Sequence, residues 1–322
     1  MKSSILNFPK QFEYEPKIEN PKKNHPKYEH FIVSGMGGSH LAADLLSLAK
    51  PEYKLTIHSD YGIPEWIQKS DKSLLWIASS YSGNTEEVLD SLSLARAKNI
   101  DCVAIAVAGQ LIEYAKQNGI PYIQMPNTGI QPRSAIGYSL RSLLRLLEEE
   151  KGLSESALLS SSLKSESLES SGENLAGILA NKIPVIYSSN NNRAIAYNWK
   201  IKFNENTKIP AFYNVLPELN HNEMNGFDVV NATKILSDKF HFIFLEDSSD
   251  HPQNQKRMRV LKDLYAKRNL PVTSIALSGK NIWEKIFANL LVADWTSYHL
   301  ALSYGIEPEP VPMVEEFKEL IK

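Results

Sequence analysis

One cysteine, Cys102, stands among 322 residues, so no disulfide can form within the chain and a reducing compartment suits it. Its place in the apolar run CVAIAVA reads as a buried, inert thiol. Long hydrophobic runs are also missing. Nothing approaches the roughly 18 uninterrupted apolar residues that a spanning helix needs, which argues against a membrane role. Excess charge of one sign is absent too, with 35 Lys and Arg against 37 Asp and Glu and a net charge of -2. That balance offers no electrostatic footprint for nucleic acid or anionic lipid, so any anion must be held locally. Residues 1–29 lack the apolar stretch and small-residue cleavage site of a secretory signal, and a cytoplasmic location is the expectation. Their prolines and charges read as an N-terminal arm, mobile or wrapped.

What is present is the composition of an ordinary soluble protein, 43% apolar and 22% charged, in a chain long enough for two domains. Short β-rich runs (HFIVSG, YKLTIHS, SLLWIASS, CVAIAVA, PYIQMP) alternate with segments of helical spacing (HLAADLLSLAK, NTEEVLDSLSLARAKN, QLIEYAKQNG). Such alternation predicts an α/β fold with a parallel sheet and helices on both faces. Residues 30–150 form the first such domain. Residues 151–180, rich in serine but with leucines at helical spacing, read as a connecting helix. Over 181–322 the pattern begins again with KIPVIYSSNNNRAIAYNWK, FHFIFLED and NLPVTSIALSG, and closes on a C-terminal helix. The chain has the look of a degenerate tandem duplication in which only the first copy keeps a glycine loop, SGMGGS against SSNNNR.

In FIVSGMGGSHLAADLL, Gly35, Gly37 and Gly38 allow a tight turn between strand and helix, where free backbone N–H groups can meet an anion. A turn without any ligand would look the same. A dinucleotide-binding loop is a further reading, with Asp60 near the place of a ribose-binding acid. His40 weakens it, because the third glycine of G-x-G-x-x-G would fall there. The second loop, SSYSGNTEE, gathers Ser79, Ser80, Ser82, Gly83, Asn84 and Thr85 between a strand and a helix. Hydroxyls and backbone donors at a helix N-terminus can surround a phosphate without a lysine. Capping alone would explain Thr85 but not the serines.

Taken together, SGMGGSH, SSYSGNTEE, PRSAIGYSL, NWKIKFNENTK, ELNHNE and PVPMVEEFK resemble, in order, the bifunctional phosphoglucose/phosphomannose isomerases. These are double sugar-isomerase (SIS) domain proteins, and the likeness runs from about residue 31 to 318. His40, where many relatives carry glycine, and the long N-terminal arm are departures. The resemblance implies two SIS domains, each a doubly wound, mainly parallel sheet flanked by helices. It implies a cofactor-independent interconversion of glucose 6-phosphate and fructose 6-phosphate, with mannose 6-phosphate as a further substrate. Gly37, Gly38, Ser39, Ser80, Ser82 and Thr85 would hold the phosphorylated sugar, Glu205 would be the base, and Arg133 would stabilise the enediolate. His221 and Lys318 would assist ring opening. The partner implied is a second copy, in a homodimer with a shared active site.

Without the resemblance each of these residues has a plainer explanation. Arg133 would pair with a surface acid, Glu205 would be a solvated charge at a helix end, and Lys318 would face solvent in an amphipathic tail. His221 and Glu223 in NHNEMN fall short of a metal site, having no partner cluster. His251 and Arg257 read as a polar surface loop. A non-catalytic sugar-phosphate sensor would need the same phosphate loops but not Glu205, Arg133, His221 and Lys318.

Overall fold

The computed structural model describes residues 1–22, 27–67 and 73–321. The chain divides into two compact units, Asn7–Ser162 and Met1–Leu6 with Leu163–Lys322, so that α1 (Lys2–Leu6) belongs with the C-terminal half.

In the unit Asn7–Ser162 the apolar runs form β1 (His30–Ser34), β2 (Lys54–His58), β3 (Leu74–Ser79), β4 (Asp101–Ala106) and β5 (Tyr122–Gln124). They pair in the order β2-β1-β3-β4-β5, every pairing parallel. The helices are α2 (Leu41–Ala49), α3 (Glu86–Ala97), α4 (Gln110–Gln117), α5 (Ile136–Leu146), α6 (Glu150–Ala157) and α7 (Leu159–Ser162). Every residue of β1 and β3 is buried, the condition of parallel strands covered on both faces. One side of the sheet packs Trp76, Ala78 and Ala104 against Val88, Leu92 and Ala95 of α3 and Leu111 and Ala115 of α4. Cys102 lies in this core with its thiol pushed up to about 12 by burial, which accords with an inert thiol. The chain leaves β1 for β2 on one side and returns to β3 on the other. At such a reversal the loops after the two strands diverge and leave a crevice at their carboxyl ends.

The remaining unit holds β6 (Ile183–Ser189), β7 (Phe212–Leu216), β8 (Phe240–Glu246) and β9 (Val272–Ala276), in the all-parallel order β7-β6-β8-β9. Its helices are α8 (Glu169–Leu179), α9 (Arg193–Lys202), α10 (Pro252–Lys267), α11 (Ile282–Ser303) and α12 (Pro312–Leu320). The order repeats that of β2-β1-β3-β4, as expected of a duplication. Strand β7 has no counterpart in the sequence reading. It is an edge strand enclosed by Pro210 and Pro217, with Phe212 53% exposed and Asn214 at its centre, so neither an apolar run nor alternation marks it.

Two expectations are refined. Residues 151–180 are not one connecting helix: α6 and α7 close the first unit, and a 3₁₀ turn at Ser165–Leu168 leads into α8 of the second. The N-terminal arm is wrapped where it is described, its 3₁₀ turn Phe8–Glu13 burying Phe8, Pro9, Gln11 and Phe12. Among the described residues no helix is long and apolar enough to cross a membrane.

Helices α8 and α11 approach closely at Gly172, where a Cβ would fall 2.3 Å from Trp295 Cβ and 2.8 Å from the Thr296 nitrogen. Trp295 is fully buried and donates its indole N–H to the Ser165 carbonyl at 2.9 Å. Neither backbone nor a buried indole yields cheaply. Gly172→Ala is therefore expected to lower stability by about 1–3 kcal/mol, seen as a lower urea midpoint at unchanged slope.

Candidate active site

Beyond Ser34 the chain turns through Gly35 to Gly38 and enters α2 by a 3₁₀ turn, Gly37–Ser39. Gly37 takes the left-handed φ of 52° that a side chain would resist. Gly38 is small for another reason: a Cβ there would lie 2.7 Å from Pro132 Cβ and 2.8 Å from the Arg133 nitrogen. The 3₁₀ turn Pro132–Ser134 rests directly on it, which places Arg133 beside the first loop. Arg133 is 2% exposed, so its side chain is buried rather than carried on the surface. His40 turns to its own helix, its Nδ1 lying 2.6 Å from Asp44 Oδ2. Asp60 is exposed and accepts from the Tyr61 N–H at 2.8 Å, a local turn contact.

Ser39 joins the two loops. Its carbonyl accepts from Ser79 Oγ at 2.8 Å, and its hydroxyl accepts from the Tyr81 N–H at 2.9 Å. Ser80 Oγ and Thr85 Oγ1 share a hydrogen bond of 2.7 Å, and Ser80 Oγ also accepts from the Gly83 N–H at 3.1 Å. Ser82 Oγ accepts from the Asn84 N–H at 3.3 Å. Thr85 occupies the N-cap of α3 without capping it, because its hydroxyl is turned to Ser80. The first-turn N–H groups of α3 thus keep their orientation toward the crevice without a threonine acceptor over them.

This turn is clamped from behind. Gly83 (φ 75°) and Gly109 (φ 83°) face each other so closely that a Cβ on Gly83 would lie 1.7 Å from the Ala108 carbonyl oxygen. The Gly83 carbonyl accepts from Leu111 N–H at 2.9 Å, and Asn84 Oδ1 accepts from Gln110 N–H at 3.0 Å. The result is a rigid array of hydroxyl and amide donors, suited to the oxygens of a phosphate.

Within the other unit, α9 runs into a π-helical turn, Phe203–Thr207, which carries Glu205 half-buried. Such turns re-register side chains and are frequent at functional sites. This one is pinned to α11 on both sides of Glu205. Lys202 Nζ lies 2.6 Å from Asp294 Oδ1 with both side chains nearly buried. Asn206 Nδ2 donates to Ser297 Oγ at 2.8 Å and Thr207 Oγ1 to the Ser297 carbonyl at 3.0 Å.

His221 is exposed at the end of the 3₁₀ turn Glu218–His221. Glu223 points elsewhere, accepting from Tyr187 Oη at 2.6 Å and from Asn214 Nδ2. The two therefore do not converge as metal ligands, and among the described residues no group of three or more His, Cys, Asp or Glu side chains can hold a metal. Lys318 stands exposed on α12, paired with Glu315 at 2.8 Å.

The loops after β6 and β8 match those after β1 and β3 in topology, yet carboxylates and a lysine fill them. Ser189 Oγ donates to Asp250 at 2.6 Å, Asn192 Nδ2 to Asp247 at 3.1 Å, and Lys285 Nζ to Asp247 at 2.6 Å. A phosphate there would meet two carboxylates.

Comparison with known proteins now bears on this geometry. Residues 168–321 match the bacterial phospho-glucose isomerase C-terminal SIS domain. The chain is 33% identical to the bifunctional phosphoglucose/phosphomannose isomerase of Caldicellulosiruptor bescii, across 99% of this chain and 98% of that one. The chain belongs to this isomerase family. The Aquifex aeolicus member is 32% identical, across 99% and 97% of the two chains. In fold alone, the chain resembles the solved glucosamine-6-phosphate deaminase of Thermotoga maritima, with a TM-score of 0.67 at 16% identity and 97% of each chain covered.

In this member of the isomerase family, Gly37, Gly38, Ser39, Ser80, Ser82, Thr85 and Arg133 all belong to the unit Asn7–Ser162. Hydrogen bonds or close contacts join Ser39, Ser80, Thr85 and the Gly38–Arg133 pair into adjoining turns. Glu205, His221 and Lys318 stand on three separate elements of the other unit. The sequence reading passed over Gly109, which permits the Gly83 turn, and Lys202 and Asp294, which anchor the turn of Glu205. Only Gly109, following an apolar strand, carried a recognisable turn signal.

Gly83→Ala combines a forbidden φ with a clash against backbone, and is expected to destabilise the protein by about 3 kcal/mol or more. Chemical denaturation checks this; a loss below about 1 kcal/mol would show that the turn shifts freely.

Proposed function

We propose that this chain interconverts glucose 6-phosphate and fructose 6-phosphate, and takes mannose 6-phosphate as a further substrate. The observation that carries the reading is the interlocked hydroxyl and amide array between Ser39 and Thr85, beside buried Arg133, in a chain of this family.

In this reading Ser39, Ser80, Ser82 and Thr85, with the Gly37 and Gly38 backbone and the first-turn amides of α3, hold the phosphate. The hydroxyls rotate from their mutual bonds to donate to its oxygens. With the phosphate fixed, ring opening needs a proton delivered to the ring oxygen and one removed from the C1 or C2 hydroxyl. His221 and Lys318 serve that step. Glu205 then takes the proton from C2 of the aldose, giving an enediolate, and returns it to C1 to form the ketose. The reverse direction runs through the same enediolate, and protonation of C2 on one face or the other gives glucose or mannose. Arg133 stabilises the negative oxygen as it develops. A positioned general base contributes about 10²–10⁴-fold, and one donor to a developing oxyanion about 10²–10³-fold. The enzyme works in the cytoplasm as a homodimer whose active site is shared, the second copy supplying His221.

Glu205→Gln keeps the size and hydrogen-bonding capacity of the side chain but removes the base. It is expected to lower kcat by about 10²–10⁴-fold in a coupled assay, with fructose 6-phosphate binding by calorimetry largely intact. Full activity in this variant would remove Glu205 from the role. Tight binding without turnover by the unmodified protein would instead identify a sensor.

Arg133→Ala is expected to lower kcat by about 10²–10³-fold with a smaller change in KM, since the guanidinium acts on charge that appears only along the reaction.

A further inference from the structure

Helix α5 starts without a cap of its own. Ala135 occupies the N-cap and offers no side-chain acceptor, although first-turn N–H groups need partners. Gln11, 126 residues away in the chain, supplies one: its Oε1 accepts from the Gly137 N–H at 2.9 Å. Its Nε2 donates to the Ser134 carbonyl at 2.6 Å. A reversed amide would set donor against donor and acceptor against carbonyl, so the partners fix its orientation. One carboxamide thus bridges the 3₁₀ turn Pro132–Ser134 and the first turn of α5.

The bridge is built into packed surroundings. Gln11 is 3% exposed, between the buried Phe8 and Phe12. Gly137 leaves room for it, since a Cβ there would fall 2.7 Å from Gln11 Cβ and 2.9 Å from Gln11 Oε1. Four residues on, Arg141 ties the same helix to the arm, its Nη2 lying 2.7 Å from Glu15 and its Nε donating to the Tyr14 carbonyl. On its other side the Pro132–Ser134 turn rests on Gly38. The peptide that carries Arg133 is held between a glycine of the first loop and the carboxamide of the arm.

We infer that Gln11 is a positioning residue for Arg133: its two hydrogen bonds fix the turn from which the guanidinium reaches the reacting oxygen. This rests on the role given to Arg133 above. A displacement of about 1 Å at a reacting group can cost about 10²-fold in rate. The N-terminal arm then belongs to the catalytic apparatus without touching substrate.

The test is steady-state isomerisation of fructose 6-phosphate by the full-length chain, at a temperature where thermal unfolding shows each variant folded. Gln11→Met fills the same volume and removes both hydrogen bonds. It should lower kcat about 10- to 100-fold and leave KM within about twofold. Gly137→Ala, which displaces the carboxamide from the other side, should do the same, and the double variant should be no worse than either alone, because both break one device. Normal kcat in Gln11→Met and Gly137→Ala, beside a disabled Arg133→Ala, overturns the inference while leaving the function of Arg133 standing. A rise in KM at unchanged kcat also overturns it, placing Gln11 in substrate binding. Normal kcat in Arg133→Ala removes the role of Arg133 and with it the task assigned to Gln11.

Discussion

Ser39 holds the turn after β1 to the turn after β3, through its carbonyl to Ser79 and its hydroxyl to the Tyr81 N–H. These bonds cross the place where the strand order reverses, between two strands with no exposed residue. A sheet of this kind leaves a crevice there in many proteins. What suits this crevice to an anion is that hydrogen bonds tie its two walls to each other. The close approach of Gly83 to Ala108 and Gly109 fixes the second wall from behind, and Gly38 passes the constraint on to the peptide of Arg133. Preorganised donors lose little on binding, which is the physical value of such rigidity.

The second unit repeats the topology with different loop chemistry. Its equivalent loops enclose Asp247, Asp250, Asn192 and Lys285 in a network of their own. The two sheets share one strand order, and side-chain chemistry leaves one pair of loops suited to a phosphate. Function here follows the loops rather than the fold.

Glu205 depends on a different kind of support. The Lys202–Asp294 pair is nearly buried, and such a pair adds little net stability compared with apolar packing. Breaking it would leave an unpaired charge, however, so the pair makes one arrangement of α9 and α11 far more favourable than its neighbours. Asn206 and Thr207 extend that fixing past Glu205. Burial of polar groups therefore defines the geometry of the π turn more than it stabilises the unit.

The sequence by itself determined the α/β class, the strands β1 to β6, β8 and β9, the two hydroxyl-bearing loops and the family motifs. All of these are written in local runs, where burial on both faces and the needs of tight turns constrain neighbouring residues directly. Only the tertiary structure decided that β7 joins the sheet, that Gly38 serves packing against Pro132 and Arg133, and that Thr85 bonds Ser80 instead of capping α3. It alone turned Glu223 toward Tyr187 and away from His221, and brought Gln11 to the start of α5. Such contacts join residues up to 126 positions apart, and no periodicity records them. A side-chain hydrogen bond is selected by where two backbones pass, and that is known only once the strands and helices have packed.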